Sequence, residues 1–274
     1  MTRRGFLLGT ALAATCGPAR LRAGPEVVER DGLTKLRLLP PGPGNPRNSE
    51  GSFLPLADGR VLFVYTRFTG GAGDNAAAAL AARCSADGGR TWTDRDEIVV
   101  PADEATMNVM SASLVRLADG VGLVYLRKNS LTDCRAYLRV SKDEGKTWGP
   151  ATLCTPAAGY FVVNNDRVVR LASGRLVVPA ARHPAPAGKW SARATAVAFL
   201  SDDGGRTWRQ GRGEVEGPAA SKTGMQEPAV VELKSGRLLM LARTDQGCQM
   251  RADSADGGDT WTPARPTDIK SPVS

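Results

Sequence analysis

Four stretches of this 274-residue chain carry one phrase: Ser85-Ala86-Asp87-Gly88-Gly89-Arg90-Thr91-Trp92, Ser141-Lys142-Asp143-Glu144-Gly145-Lys146-Thr147-Trp148, Ser201-Asp202-Asp203-Gly204-Gly205-Arg206-Thr207-Trp208 and Ser254-Ala255-Asp256-Gly257-Gly258-Asp259-Thr260-Trp261. Each reads S-x-D-x-G-x-T-W, and the aspartates lie 56, 60 and 53 residues apart. Self-similarity at this period is the mark of a repeat architecture. The residue types fit a tight turn. Asp accepts from the backbone N–H groups of its own turn, and Ser and Thr add hydroxyl partners. Gly takes a positive φ that a side chain resists. Trp supplies a large apolar plug between neighbouring sheets. Four of the five tryptophans sit in these phrases, so we read the phrase as a hairpin staple with no catalytic role.

Working outward from the phrases, each repeat follows one plan. A first strand ends in a turn at Ala57-Asp58-Gly59, Ala118-Asp119-Gly120, Ala172-Ser173-Gly174 or Lys234-Ser235-Gly236. A second, strongly β-forming strand follows at Val61–Thr66, Val121–Leu126, Leu176–Ala180 or Leu238–Ala242. A third strand runs into the phrase and a fourth leaves it, as at Glu97–Val100. Apolar runs of this length between Gly-containing turns are strand signals. The repeats span 47–103, 104–157, 158–216 and 217–266, and Ser271-Pro272-Val273-Ser274 looks like the approach to a fifth. Ahead of them, Leu33 to Leu38 is predicted as a strand and Pro40 to Pro46 as a connector.

The formal charge of +8 is largely N-terminal: residues 1–23 hold Arg3, Arg4, Arg20 and Arg22 and no acid, which leaves +4 for the rest. That excess is too small and dispersed to argue for nucleic acid. Thr2-Arg3-Arg4-Gly5-Phe6-Leu7-Leu8 resembles the twin-arginine export motif, and the apolar run through Ala14 is too short to span a bilayer. Residues 1–23 are therefore expected to be a removable signal and 24–274 the mature domain, periplasmic or secreted, with no integral membrane segment. Cys16 as a lipoprotein cysteine is disfavoured by the Ala13-Ala14-Thr15 before it. Cys84, Cys134, Cys154 and Cys248 form no C-x-x-C pair and are expected as free thiols, and a single histidine, His183, gives no basis for a metal site.

The phrase resembles the Asp-box, or BNR, repeat of the sialidase (neuraminidase) family. The resemblance implies an all-β fold, a six-bladed β-propeller of sialidase type, incomplete here with about four blades present. It also implies that the Leu33–Leu38 strand joins the last blade to close the ring, and that the boxes lie on the face away from the active site. Aligning the blades on their first turns places Glu50, Ser111, Asn165 and Glu227 at strand-one entrances, and Arg67, Arg127, Arg182 and Arg243 at strand-two exits. Both sets then face the axis opposite the boxes, as a pocket suited to an anionic ligand.

That family binds the substrate carboxylate with three arginines, because a planar guanidinium fork matches a carboxylate bidentately. Carried over, Arg47 in Pro46-Arg47-Asn48-Ser49-Glu50 is the first of them, although the family's Arg-Ile-Pro is absent, and Arg67 is an additional pocket arginine. Asp74, in the loop Gly70-Gly71-Ala72-Gly73-Asp74, takes the general acid/base role. Gln226-Glu227-Pro228, sixteen residues ahead of Arg243, supplies the nucleophile-activating Glu227 and the second carboxylate-binding arginine. Asn165, Asp166, Arg167, Arg182 and His183 open and close the equivalent strands of blade three; with Glu50 they face the pocket without a family role. The implied chemistry is retaining hydrolysis of terminal α-linked sialic acid from glycoconjugates, without cofactor, by a tyrosine assisted by Glu while Asp protonates the leaving oxygen. The nucleophilic Tyr and the third arginine are expected beyond Ser274, since Tyr65, Tyr125, Tyr137 and Tyr160 lie within earlier blades. Two other classes stay open: another glycan-active propeller hydrolase using Asp74 and Glu227, and a non-catalytic Asp-box binding propeller.

Overall fold

The computed structural model describes residues 27–30 and 32–271. The expected signal at 1–23, with Cys16, lies outside the described residues, as does the stretch after Ser271. Strands β1 (Val27–Arg30) and β2 (Leu33–Leu36) form a two-stranded antiparallel sheet of their own. The Leu33 strand is therefore present but, against expectation, pairs with β1 and joins no later sheet.

Four antiparallel units follow. Unit I is β3 (Arg47–Pro55), β4 (Val61–Phe68), β5 (Ala78–Ser85) and β6 (Glu97–Val100). Unit II is β7 (Asn108–Leu117), β8 (Gly120–Lys128), β9 (Cys134–Ser141) and β10 (Thr152–Leu153). In unit III the first strand is broken into β11 (Tyr160–Val162) and β12 (Val169–Arg170), both paired with β13 (Leu176–His183); β14 (Thr195–Ser201) and β15 (Arg209–Gln210) complete it. A single parallel bridge, Tyr160 to Cys134, joins its sheet to that of unit II. Unit IV is β16 (Gln226–Glu232), β17 (Leu238–Arg243), β18 (Cys248–Ser254) and β19 (Arg265–Lys270), the last reaching beyond the 266 boundary read from the sequence.

Every Asp-box closes the same hydrogen-bond set, except that in the second the indole N–H of Trp148 finds no partner. In the first, Ser85 Oγ donates to Asp87 Oδ1 at 2.8 Å, Thr91 N to Asp87 Oδ1 at 2.8 Å and Thr91 Oγ1 to Asp87 Oδ2 at 2.6 Å. Gly89 N donates to Ser85 Oγ at 2.8 Å, and the indole N–H of Trp92 returns to Gly89 O at 2.9 Å. Gly89, Gly145, Gly205 and Gly258 have φ of 93°, 82°, 92° and 90°, a region that favours glycine. Glycine is also needed for space: a Cβ on Gly205 would lie 2.2 Å from Leu138 of the preceding unit.

The units stack face to face. One apolar cluster joins Leu62, Val64 and Leu80 of unit I to Val109, Leu114 and Leu123 of unit II, with Trp148 packed on it. The next joins units II and III through Leu126, Leu138, Phe161 and Phe199, under Trp208, and a third joins III and IV through Leu200, Val215, Leu238 and Met240, under Trp261. The three later box tryptophans thus plug onto the seam with the unit before. Strands covered on both faces are apolar throughout: β13 is buried at every position from Leu176 to Ala181, whereas β17, covered on one side, alternates.

Trp92→Ala is expected to destabilise the fold by about 3–5 kcal/mol, the usual cost of emptying a buried aromatic site. Substrate recognition in the folded fraction should not change, and loss of turnover at an unchanged melting temperature would contradict the staple role. Donors from Thr91 and Thr207 hold the Asp87 and Asp203 carboxyls down at about 2. Their stabilising effect is thus complete above an unfolded pKa of about 4 and is lost as pH falls through the folded value. Melting temperature should fall between those limits, and the fall should shrink in Asp87→Ala.

Candidate functional site

The first strand of each unit enters through a kink. At Glu50, Ser111, Asp166 and Glu227 the backbone is left-handed, with φ of 56°, 60°, 55° and 49°. In units I, II and IV these are β-bulges, where the pairing register slips between Ser49 and Ser52, Met110 and Ser113, and Gln226 and Ala229. Such a conformation in a non-glycine residue carries strain and concentrates at functional sites, and a bulge re-aims its side chain. In unit III the equivalent residue is Asp166 and not Asn165, one place on from the position that turn alignment selects.

These kinks meet. Ser111 Oγ donates to Glu50 Oε2 at 3.3 Å, Ser52 Oγ to Asp166 Oδ1 at 2.7 Å, and Asn165 Nδ2 to Gly51 O at 3.1 Å. Burial lifts the Glu50 carboxyl above the usual carboxylate range; Arg47 opposes that, while the charges of Asp74 and Glu227 add to it. Three acids from two units therefore share one electrostatic neighbourhood.

Asp74 sits on the loop between β4 and β5. Buried Asn108 clamps this loop by donating Nδ2 to Asp74 O at 2.8 Å and to Ala76 O at 2.9 Å. Arg47, first residue of β3, lies 4.5 Å over the Phe68 ring and reaches Asp74 Oδ1 at 2.5 Å and Ala72 O at 3.1 Å. The Asp74 side chain remains 66% exposed.

On the other side, Arg243 at the end of β17 pairs with Glu227 at 3.0 Å and donates to Gln226 Oε1 at 2.7 Å. The segment before β16 is tied down by Asp245, which accepts from Ser221 Oγ at 2.5 Å and Lys222 N at 2.9 Å, and by Arg193, which donates to the carbonyls of Gly217, Pro218 and Ser221.

Arg47, Glu50, Asp74, Glu227 and Arg243 are thus brought together, with Asn165 and Asp166 beside Glu50's strand. Arg67 is turned to the flank of unit I, where its Nε lies 3.2 Å from Asp96, an acid shared with Arg83 at 2.6 Å. Unit II repeats this arrangement: Arg127 and Arg139 share Glu104, which also accepts from Tyr125 Oη at 2.8 Å. Arg182 pairs with Glu214 at 2.6 Å, and Arg167 donates its backbone N–H to Ser113 Oγ at 3.0 Å. Of the four arginines read as one ring, only Arg243 pairs with an acid of a first strand. His183 is buried, with Nδ1 3.0 Å from Ser191 O and its ring stacked on Trp190 at 4.8 Å; burial pushes it below the usual histidine range. Arg182 and His183 line a cavity of about 310 Å³ together with Tyr160 and Phe161.

A neighbouring cavity of about 270 Å³ has Asp74 itself in its wall, with Asn75, Lys128, Leu131, Tyr160 and Trp190. Sequence reading passed over Lys128, Trp190 and Asn108. The one local signal was Trp190, the only tryptophan outside the boxes. Cys134, Cys154 and Cys248 are free thiols, and burial pushes Cys134 up to about 12. Among the described residues no cluster of three His, Cys, Asp or Glu could hold a metal ion, and no helix is long and apolar enough to cross a membrane.

The repeats and stacked antiparallel units define the class. Residues 123–274 match the BNR repeat-like domain, and the chain belongs to that family. Its relatives there are sialidases. It is 29% identical to a sialidase of Micromonospora viridifaciens over 94% of this chain and 43% of that protein, and 34% identical to human Sialidase-4 over 45% of this chain and 28% of that protein. The chain thus spans less than half the length of these curated relatives. In fold it is similar to Trypanosoma rangeli sialidase, with a TM-score of 0.61, 20% identity and coverage of 88% of this chain and 41% of that one. A Dyadobacter fermentans protein of unknown function gives a TM-score of 0.70 at 18% identity, covering 84% and 71%.

Proposed function

We propose that the protein is an exported exo-α-sialidase, a retaining glycoside hydrolase that needs no cofactor, built as a six-bladed propeller of which units I to IV are blades. Asp74 is its general acid, Glu227 activates the nucleophile, and Arg47 and Arg243 receive the carboxylate of the sugar. The observation that carries this reading is the convergence of Asp74 and Glu227, from units I and IV, on Glu50, with Arg47 and Arg243 paired to them. The Arg47–Asp74 pair must open for a substrate carboxylate to reach Arg47. The nucleophile's role goes to none of the tyrosines here. Burial pushes Tyr65, Tyr125 and Tyr160 up, the opposite of what an activated phenol needs. One observation favours a broader reading, a glycan hydrolase for a different sugar: Arg47 and Arg67 are engaged by Asp74 and Asp96.

The test is hydrolysis of an aryl sialoside by the whole protein, beside Arg243→Lys. Lysine keeps the charge and loses the fork. Losing one charge-assisted hydrogen bond costs roughly 1.5–3 kcal/mol, about tenfold to a hundredfold in kcat/KM. A neutral analogue should lose much less. No cleavage of any sialoside by the whole protein would sink this reading and leave the broader one.

A further inference from the structure

The cavity beside Asp74 holds a cation. Lys128, the last residue of β8, is 95% buried, yet among the described residues no carboxylate pairs with it and no acceptor takes a hydrogen bond from its ammonium group. Its Nζ lies 5.5 Å from the centroid of the Tyr160 ring, in the same cavity wall. An ammonium in a cavity wall without a counter-charge is placed to meet an anion, and its single cation–π contact returns about 0.5–2 kcal/mol. Across the cavity stands Trp190, 44% exposed, its ring edge-on to Tyr160 at 6.3 Å and backed by His183. An aromatic face at such a rim suits the apolar face of a pyranose, and the ammonium suits an anion.

Position fixes which sugar this is. A general acid stands within hydrogen-bond reach of the oxygen it protonates, so a cavity with that acid in its wall receives the group attached to that oxygen. We propose that Lys128, Tyr160 and Trp190 form a leaving-group subsite selective for a sugar that bears a negative charge, a sulfate ester or a carboxylate. The inference rests on Asp74 being the general acid.

Two measurements on the whole protein test it. The first compares kcat/KM for sialosides whose leaving sugar is neutral lactose, 6-sulfo-lactose or a second sialic acid. Wild type should prefer one or both anionic arms, and whichever is preferred names the source of the charge. Lys128→Met should lose that preference about tenfold or more while the neutral arm changes less than threefold. Lys128→Arg should retain part of it. The second is calorimetric binding of free 6-sulfo-lactose and of free sialic acid, which needs no turnover. Tenfold weaker binding of either in Lys128→Met supports the subsite even if no sialoside is cleaved, the outcome that instead removes the sialidase reading. Equal preference in wild type and Lys128→Met, or no difference in binding of either probe with both proteins folded by thermal melt, overturns the proposal.

Discussion

Glu227→Gln in the whole protein is expected to slow formation of the glycosyl-enzyme by about 10²–10⁴-fold, the range of a positioned acid–base group. Glutamine has the size and shape of the glutamate but cannot take a proton from the nucleophile. The folded state should hardly notice. Glu227 is about one-third exposed and its partner Arg243 keeps the Gln226 Oε1 acceptor at 2.7 Å. The left-handed backbone at Glu227, with φ of 49°, is no harder for glutamine to adopt than for glutamate. Stopped-flow release of an aryl leaving group reads the step directly. A fall of less than threefold, at an unchanged melting temperature, would take Glu227 out of the mechanism.

What the sequence made legible is what is local. A box closes on itself within eight residues: Thr91 bonds Asp87 four places back and Gly89 bonds Ser85, so the phrase states its own structure. The turns and the second strands were readable for the same reason, since Gly59, Gly174 and Gly236 each take the positive φ their turns require. The kinks at Glu50, Ser111, Asp166 and Glu227 were not, because none is a glycine and the chain gives no local reason for a left-handed residue there. Hence the one-place error at Asn165, in the unit whose first strand is broken. Side-chain direction was only partly legible. Arg67 lies eight residues past Gly59 but Arg243 seven past Gly236, and in the sheets Arg67 stands opposite Asn48 while Arg243 stands opposite Gln226, so the two leave opposite faces of their sheets. Which acid each then meets, Asp96 or Glu227, is set by residues far off in sequence. The cavity wall of Lys128, Tyr160 and Trp190 is assembled from two units, and no spacing reports it.

Asp74→Asn separates acid catalysis from every other role, because its effect should depend on the leaving group. An unactivated sugar alkoxide departs only as it is protonated, so loss of the acid is expected to cost about 10²–10⁴-fold in kcat on a sialyl-oligosaccharide. An aryl leaving group with a pKa near neutrality departs as the anion and should lose less than about tenfold, since proton transfer contributes little when the departing group is already a weak base. The loop itself should survive the change. Asparagine keeps an oxygen for Arg47, which now reaches Asp74 Oδ1 at 2.5 Å, and the Asn108 clamp holds the backbone carbonyls of Asp74 and Ala76, which the substitution leaves in place. Asp74 is also well exposed, so an amide there meets no desolvation cost. Equal losses on both substrates would show that Asp74 holds Arg47 or the loop in position and donates no proton. A large loss confined to the oligosaccharide would fix it as the acid, and with it the side of the site on which the leaving sugar lies.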